Sequence, residues 1–308
     1  MPKSVLLNDG LTGHYMDILR CPICHNSMQL INKKSLICGD KHCFDLAKQG
    51  YVNLLSHGIK TKYNKQLFEA RKLLAQSGFF EPLNEQLCEL IQRDLNPSEA
   101  KSQDCSLKIL DAGCGEGSHL ANIQQKLGKN TGMRPLGVGM DLAKEGIQLA
   151  ARDWESIFWC VGDLAQCPFG DRQFDVILNI LSPANYSEFE RILTDDGLVI
   201  KVVPGKEYLT ELREIFYEET EKQDYSNVKT VELFENHLTL YKTVPLRYSM
   251  TLDQPLIANL VHMTPLTWGA DEDRIGRVLK LESLEITIDL TIMVGRKKCS
   301  EPEQMEVV

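Results

Sequence analysis

Apolar positions along the chain fall in several short runs, and the spacing between them sorts the chain into strand-like and helix-like stretches. In the centre, L-K-I-L at 107–110 leads into a glycine-rich turn and then SHLANIQQKLG, whose apolar residues recur at helical spacing. PLGVGMDLA, SIFWCVGD, FDVILNILSP and GLVIKVVPG repeat the strand-like pattern, with helical or turn-forming stretches between them. Apolar strands alternating with helices predict a parallel sheet covered on both faces. HLTLYKTVPLRYS and LEITIDLTIMVG predict two last strands, with an insertion between them that carries MTPLTW at 263–268. Residues 64–91 predict a helix ahead of the sheet. A second helix is expected over 205–222, packing through Tyr208, Leu209, Leu212, Ile215 and Phe216. Nearer the N terminus, MQLINKKSLICGDKHCFDL alternates enough for two short strands.

Composition places this pattern in an ordinary globular protein: of 308 residues, 43% are hydrophobic and 25% charged. No apolar run reaches the roughly 18 residues needed to cross a membrane, and the first residues lack a secretory apolar region. The expectation is a cytoplasmic chain with no membrane partner, whose ten cysteines are thiols or metal ligands. The net charge of −9 is unevenly spread. Residues 1–75 hold eleven Lys/Arg against five Asp/Glu, whereas the remainder holds 23 against 38. A basic end on an acidic body points to phosphate contact at that end, or to a plain solvated face.

Cysteine spacing adds chemistry to the basic end. Cys21 and Cys24 form a C-x2-C knuckle, followed by Cys38, His42 and Cys43. Such a knuckle aims two thiolates at one ion, and a second pair from a neighbouring hairpin completes a zinc-ribbon tetrahedron. The second pair is Cys38 with either His42 or Cys43, and His25 is a weaker candidate. A lobe this small buries little apolar surface, so a structural metal would stabilise it. The redox reading of C-x2-C lacks the strand-then-helix context it needs.

The glycine turn reads D-A-G-C-G-E-G at 111–117. Its G-x-G-x-G spacing after an acidic residue differs from the dinucleotide fingerprint, which makes an NAD-binding domain the second choice. Asp141 closes the next strand, where a carboxylate can accept both ribose hydroxyls, and Asp163 closes the one after. This combination resembles the class I S-adenosylmethionine-dependent methyltransferases. The resemblance implies an α/β fold, a seven-stranded Rossmann-like domain preceded by the small zinc-ribbon-like lobe. It implies a cofactor site made of Asp111, Gly113, Cys114, Gly115, Glu116 and Gly117, with Asp141 at the ribose and Asp163 with Leu164 near the adenine.

The series C-P-I-C, FDLAKQGYVNLL (44–55), FEAR (68–71), DAGCGEG, S-P-A (182–184) and MTPLTW is similar to the zinc-containing 23S rRNA (guanine-N1)-methyltransferases, from about residue 18 to 296. That resemblance implies a structural zinc on three cysteines and one histidine, which fall on Cys21, Cys24, Cys38 and His42. It implies methylation of N1 of a guanine in a 23S rRNA hairpin loop, a contribution in some members to resistance against macrolides such as tylosin, and a capacity to dimerise. Domain limits follow: 1–56 metal lobe, 57–100 basic linker and helix, 101–296 methyltransferase domain, 297–308 flexible tail.

Methylation at N1 needs an unpaired or flipped guanine, aligned with the methyl group. Asn179 and Ser182, at the end of the fourth strand, are the expected catalytic, substrate-facing residues. Asn179 has a second reading as a strand-end amide bonded to backbone. Trp268, Tyr186 and Tyr63 are stacking candidates or ordinary core and rim aromatics. Lys60, Lys62, Lys65 and Arg71 are the expected RNA-phosphate contacts. A methyltransferase for small molecules or protein, and a non-catalytic RNA-binding module, remain the competing classes.

Overall fold

The computed structural model describes residues 4–7, 12–59, 61–95, 106–131, 135–217 and 226–298. An eight-stranded sheet carries the fold. Its parallel part comprises β4 (Val52–Asn53), β5 (Lys108–Ala112), β6 (Leu136–Asp141), β7 (Phe158–Val161), β8 (Phe174–Ile180) and β9 (Leu193–Pro204). The long strands β10 (Leu238–Asp253) and β11 (Ser283–Lys297) complete it, in the order β10-β11-β9-β8-β5-β6-β7-β4, with β11 antiparallel to both neighbours. The expected seven-stranded, mainly parallel α/β sheet is present. Val52–Asn53, grouped by sequence with the metal lobe, adds an eighth strand by pairing parallel with Cys160–Val161.

Two apolar layers cover the sheet. One packs α3 (Glu81–Asp94), α4 (Ser118–Thr131), α5 (Lys144–Asp153) and α9 (Gln254–Met263) around Ile109, Trp159, Leu178 and Ile200. The other packs α1 (Thr12–Ile18), α6 (Tyr186–Ile192) and α8 (Val228–His237) around Leu110, Val138, Phe158 and Ile177. The N-terminal segment is part of this second layer. Tyr15 and Ile18 are each 1% exposed, and the Tyr15 hydroxyl donates to the Gly137 carbonyl.

The helix expected over 64–91 is two: α2 (Lys65–Gln76) and α3. Gly78, at φ +88°, takes a left-handed conformation that ends the first, and Pro82 in the first turn starts the second. Of the helix expected over 205–222, only α7 (Thr210–Phe216) forms within the described residues, and 218–225 lie outside them. The Gly205 amide donates to the Asp289 carbonyl and the Glu207 amide to its carboxylate, so the chain before α7 turns instead of coiling. The N-terminal hairpin has three strands, β1 (Met28–Ile31), β2 (Ser35–Cys38) and β3 (Cys43–Asp45), all antiparallel.

Candidate active site and metal centre

Sequence order reverses between β5 and β8, and ligands of open parallel sheets bind beyond the strand ends at such a switch. The glycine loop lies there. Gly113, Gly115 and Gly117 have φ of +86°, +57° and +84°, a conformation that disfavours any side chain. A Cβ on Gly113 would stand 1.9 Å from Ser182 Oγ, so the glycine loop and the loop after β8 are in contact.

Asp141 ties this loop to the next helix. Its Oδ2 accepts from the Gly115 amide at 2.8 Å and its Oδ1 from the Ala143 amide at 2.7 Å. Each oxygen keeps a lone pair for a ribose hydroxyl. Asp111 is 1% exposed, and neither carboxylate oxygen has a hydrogen-bond partner. Burial pushes its pKa up to about 7 against the pull of Arg71. Glu116 is buried and accepts from the Ser118 amide and hydroxyl at 3.0 and 2.6 Å. Cys114 is buried, its thiol pushed well up by burial. Asp163 caps its own turn, accepting from the Ala165 amide at 2.8 Å, while Leu164 packs on the second apolar layer.

Two expected residues take different places. Arg71, expected on RNA phosphate, turns inward: its Nε lies 3.6 Å from the Glu116 carboxylate and its guanidinium sits over the Phe80 ring. Its side chain is only 19% exposed, since α2 packs that face against the glycine loop. Asn179, expected either to face substrate or to bond backbone at the strand end, is fully buried and takes the second place. Its amide donates to the Ala112 carbonyl at 2.6 Å and the Pro183 carbonyl at 2.9 Å, so it braces the loop from below. Its Oδ1 accepts from Lys201 Nζ at 2.5 Å, and Lys201 also donates to the Ser182 carbonyl. Sequence reading missed Lys201. It sits in the apolar run of β9, where a lone lysine among apolar residues was the available signal. Burial pulls its pKa down to about 8.

Among the other basic residues, Lys62 Nζ lies 5.7 Å from the Trp268 ring centroid, Lys65 is exposed and pairs with Glu69 at 3.4 Å, and Lys60 lies outside the described residues. Tyr186 is 3% exposed and stacks on His237 at 5.6 Å.

The metal-ligand types converge at the ribbon. One donor atom each from Cys21, Cys24, Cys38 and His42 lie within 4.8 Å of one another. His42 Nδ1 stands 3.5 Å from Cys21 Sγ and 3.4 Å from Cys38 Sγ. Three thiols and an imidazole at this separation fit a structural zinc. Cys43 is exposed, its thiol directed to the Asp45 carboxylate, and His25 contacts Gln166. Backbone bonds fasten the chain before the knuckle to the connection between β7 and β8, with the Arg20 amide donating to the Pro168 carbonyl and the Gly170 amide to that of Ile18.

Comparison with known proteins agrees with both halves. Residues 19–61 match the zinc-ribbon family model described as "RlmA, N-terminal", and residues 109–197 match a methyltransferase domain model. A Bacillus subtilis protein provisionally named a 23S rRNA (guanine-N1)-methyltransferase is 45% identical over 91% of this chain and 97% of its own. The 23S rRNA (guanine(748)-N1)-methyltransferase of Streptomyces fradiae is 29% identical over 90% of this chain and 96% of its own. With its ribbon, its S-adenosylmethionine-type α/β domain and this full-length likeness, the chain belongs to the 23S rRNA (guanine-N1)-methyltransferase family of enzymes.

Proposed function

We propose that this protein transfers the methyl group of S-adenosylmethionine to N1 of an unpaired guanine in a hairpin loop of 23S rRNA, acting in the cytoplasm. The observation that carries the reading is 45% identity to the Bacillus relative, spanning metal ribbon and methyltransferase domain alike. The homodimer expected from the family is part of the same proposal and is measured by sedimentation.

Site chemistry supports the cofactor. A zwitterionic amino-acid group needs one anion and one cation where backbone comes close. Asp111, with two unpaired buried oxygens, and Arg71, with a buried Nε that makes no hydrogen bond, supply them beside glycines. Asp111 would take the ammonium and Arg71 the carboxylate, with Asp141 at the ribose. When bound, the cofactor supplies a methyl group on a positively charged sulfur. The protein's own part is positional. The Asn179–Lys201 network fixes the Ser182–Ala184 turn against the glycine loop, so the acceptor enters over a rigid floor. N1 of guanine must shed a proton during transfer. The buried Lys201 ammonium places positive charge beneath the turn, which favours negative charge on the base as that proton leaves.

The test is methyl transfer from labelled S-adenosylmethionine into unmodified 23S rRNA, with bulk protein and small RNAs alongside. Label in rRNA, with reverse transcription stopping at one guanine, is the expected result. Cofactor binding without label in rRNA would overturn the reading.

A further inference from the structure

Two exposed aromatic side chains from distant parts of the chain meet beside the cofactor loop. Tyr63 is 40% exposed and Trp268 48% exposed, and their ring centroids are 5.4 Å apart at 61°. Lys62 holds its ammonium 5.7 Å from the indole centroid. Inward, the Tyr63 ring lies 6.2 Å from that of Phe68. Phe68 in turn packs on the glycine loop, its Cε1 3.3 Å from where a Cβ on Gly115 would stand. A row of rings thus runs from the surface to the cofactor loop.

Both ends of the row are held. Asn64 caps α2, its Oδ1 accepting from the Leu67 amide at 2.9 Å, which fixes the preceding Tyr63. Trp268 rides on a 3-10 turn, Pro265–Gly269, capped by Thr264 and braced by the Tyr217 hydroxyl on the Leu266 carbonyl at 2.6 Å. Of the other two tryptophans, Trp159 is buried and Trp154 packs against the core. An indole left 48% exposed on a braced turn buries less of itself than the other two tryptophans do.

We propose that Trp268 and Tyr63, with Lys62, form a stacking platform for an unpaired nucleobase of the RNA substrate next to the site of methyl transfer. This rests on the rRNA reading above and deepens it. Unpaired bases are bound by aromatic faces, and a neighbouring cation serves the attached phosphate. The chain beyond the turn runs into Asp271, Glu272 and Asp273, which repel phosphate. The platform therefore suits the face of a base, with backbone phosphate on the Lys62 side.

Tryptophan emission of the full-length protein, titrated with an unmodified 23S rRNA hairpin fragment, tests this together with methylation kinetics. Quenching is expected in the natural protein and should be lost in Trp268→Phe. Trp268→Ala and Tyr63→Ala should each raise KM for the RNA about tenfold or more, with affinity for S-adenosylhomocysteine unchanged. Replacing the stacked nucleotide by an abasic site should erase the difference between the natural protein and Trp268→Ala. If the natural protein methylates the fragment but Trp268→Ala does so with the same KM, the platform is wrong and the rRNA reading stands. The platform also fails if quenching persists in Trp268→Phe and no abasic position changes the comparison. A natural protein that binds cofactor yet leaves the fragment unmethylated removes the rRNA reading itself.

Discussion

The two sides of the transfer site treat their buried polar groups in opposite ways. On the cofactor side, both Asp111 oxygens and Arg71 Nε are buried without hydrogen bonds. On the acceptor side, Asn179 uses both its amide nitrogen and its oxygen, and Lys201 is held by Asn179 and the Ser182 carbonyl. The difference suits what each side is proposed to receive. A ligand that brings its own charges would meet Asp111 with both oxygens free and Arg71 held by a 3.6 Å contact to Glu116, at a cost to the free fold. A neutral base is met by a floor whose polar groups are already satisfied, leaving recognition to exposed surfaces.

The contrast breaks most severely at Asn179. Asn179→Ala leaves Lys201 short of an acceptor and two carbonyls short of a donor, and should cost about 4 kcal/mol of folding stability. Urea unfolding measures it, and a loss under about 1 kcal/mol would mean the floor is not closed as described. Asp111→Asn should do the reverse: affinity for S-adenosylhomocysteine falls about 10- to 100-fold while the melting temperature holds or rises, because a costly buried carboxylate is removed. Calorimetry and a thermal melt on the same sample decide this.

A subtler effect lies in pH. Asp111 keeps its proton up to about pH 7 in the fold, whereas an unfolded aspartate loses it near pH 4. Over that window the unfolded chain binds fewer protons, so this group's contribution to stability falls as pH rises, and its full cost is present above about 7. With Asp111 in its proposed role on the cofactor ammonium, binding at low pH must release that proton. Affinity should therefore rise up to about tenfold per unit below pH 7 and then level off, and Asp111→Asn should flatten the profile. The smallest effect is at the surface: Lys65→Ala removes an exposed pair with Glu69 and should change stability by less than about 0.5 kcal/mol.

Legibility in the sequence followed the distance between partners. The metal quartet lies within 22 residues and the glycine loop within seven, so spacing displays candidates for both, with the choice of His42 over Cys43 left to the family resemblance. Strand runs and their neighbours were equally local. Arg71 was misread because its exposure depends on which face of α2 meets Gly115, a contact made across more than forty residues. Asn179 stayed between two readings because its partner Lys201 arrives from the adjacent strand. Gly78 and Pro82, which split the helix over 64–91, were visible, but the apolar periodicity on either side outweighed them.

The pairing of Val52–Asn53 with Cys160–Val161 also bears on the order in which the molecule can assemble. During synthesis the eighth strand leaves the ribosome about a hundred residues before its partner exists. The ribbon hairpin just ahead of it needs only local contacts and a metal ion, so it can close first. It then waits, with the edge strand tethered, until β7 emerges. A metal-closed ribbon would thus keep a short, otherwise unpaired edge strand beside a folded unit until its partner strand is made.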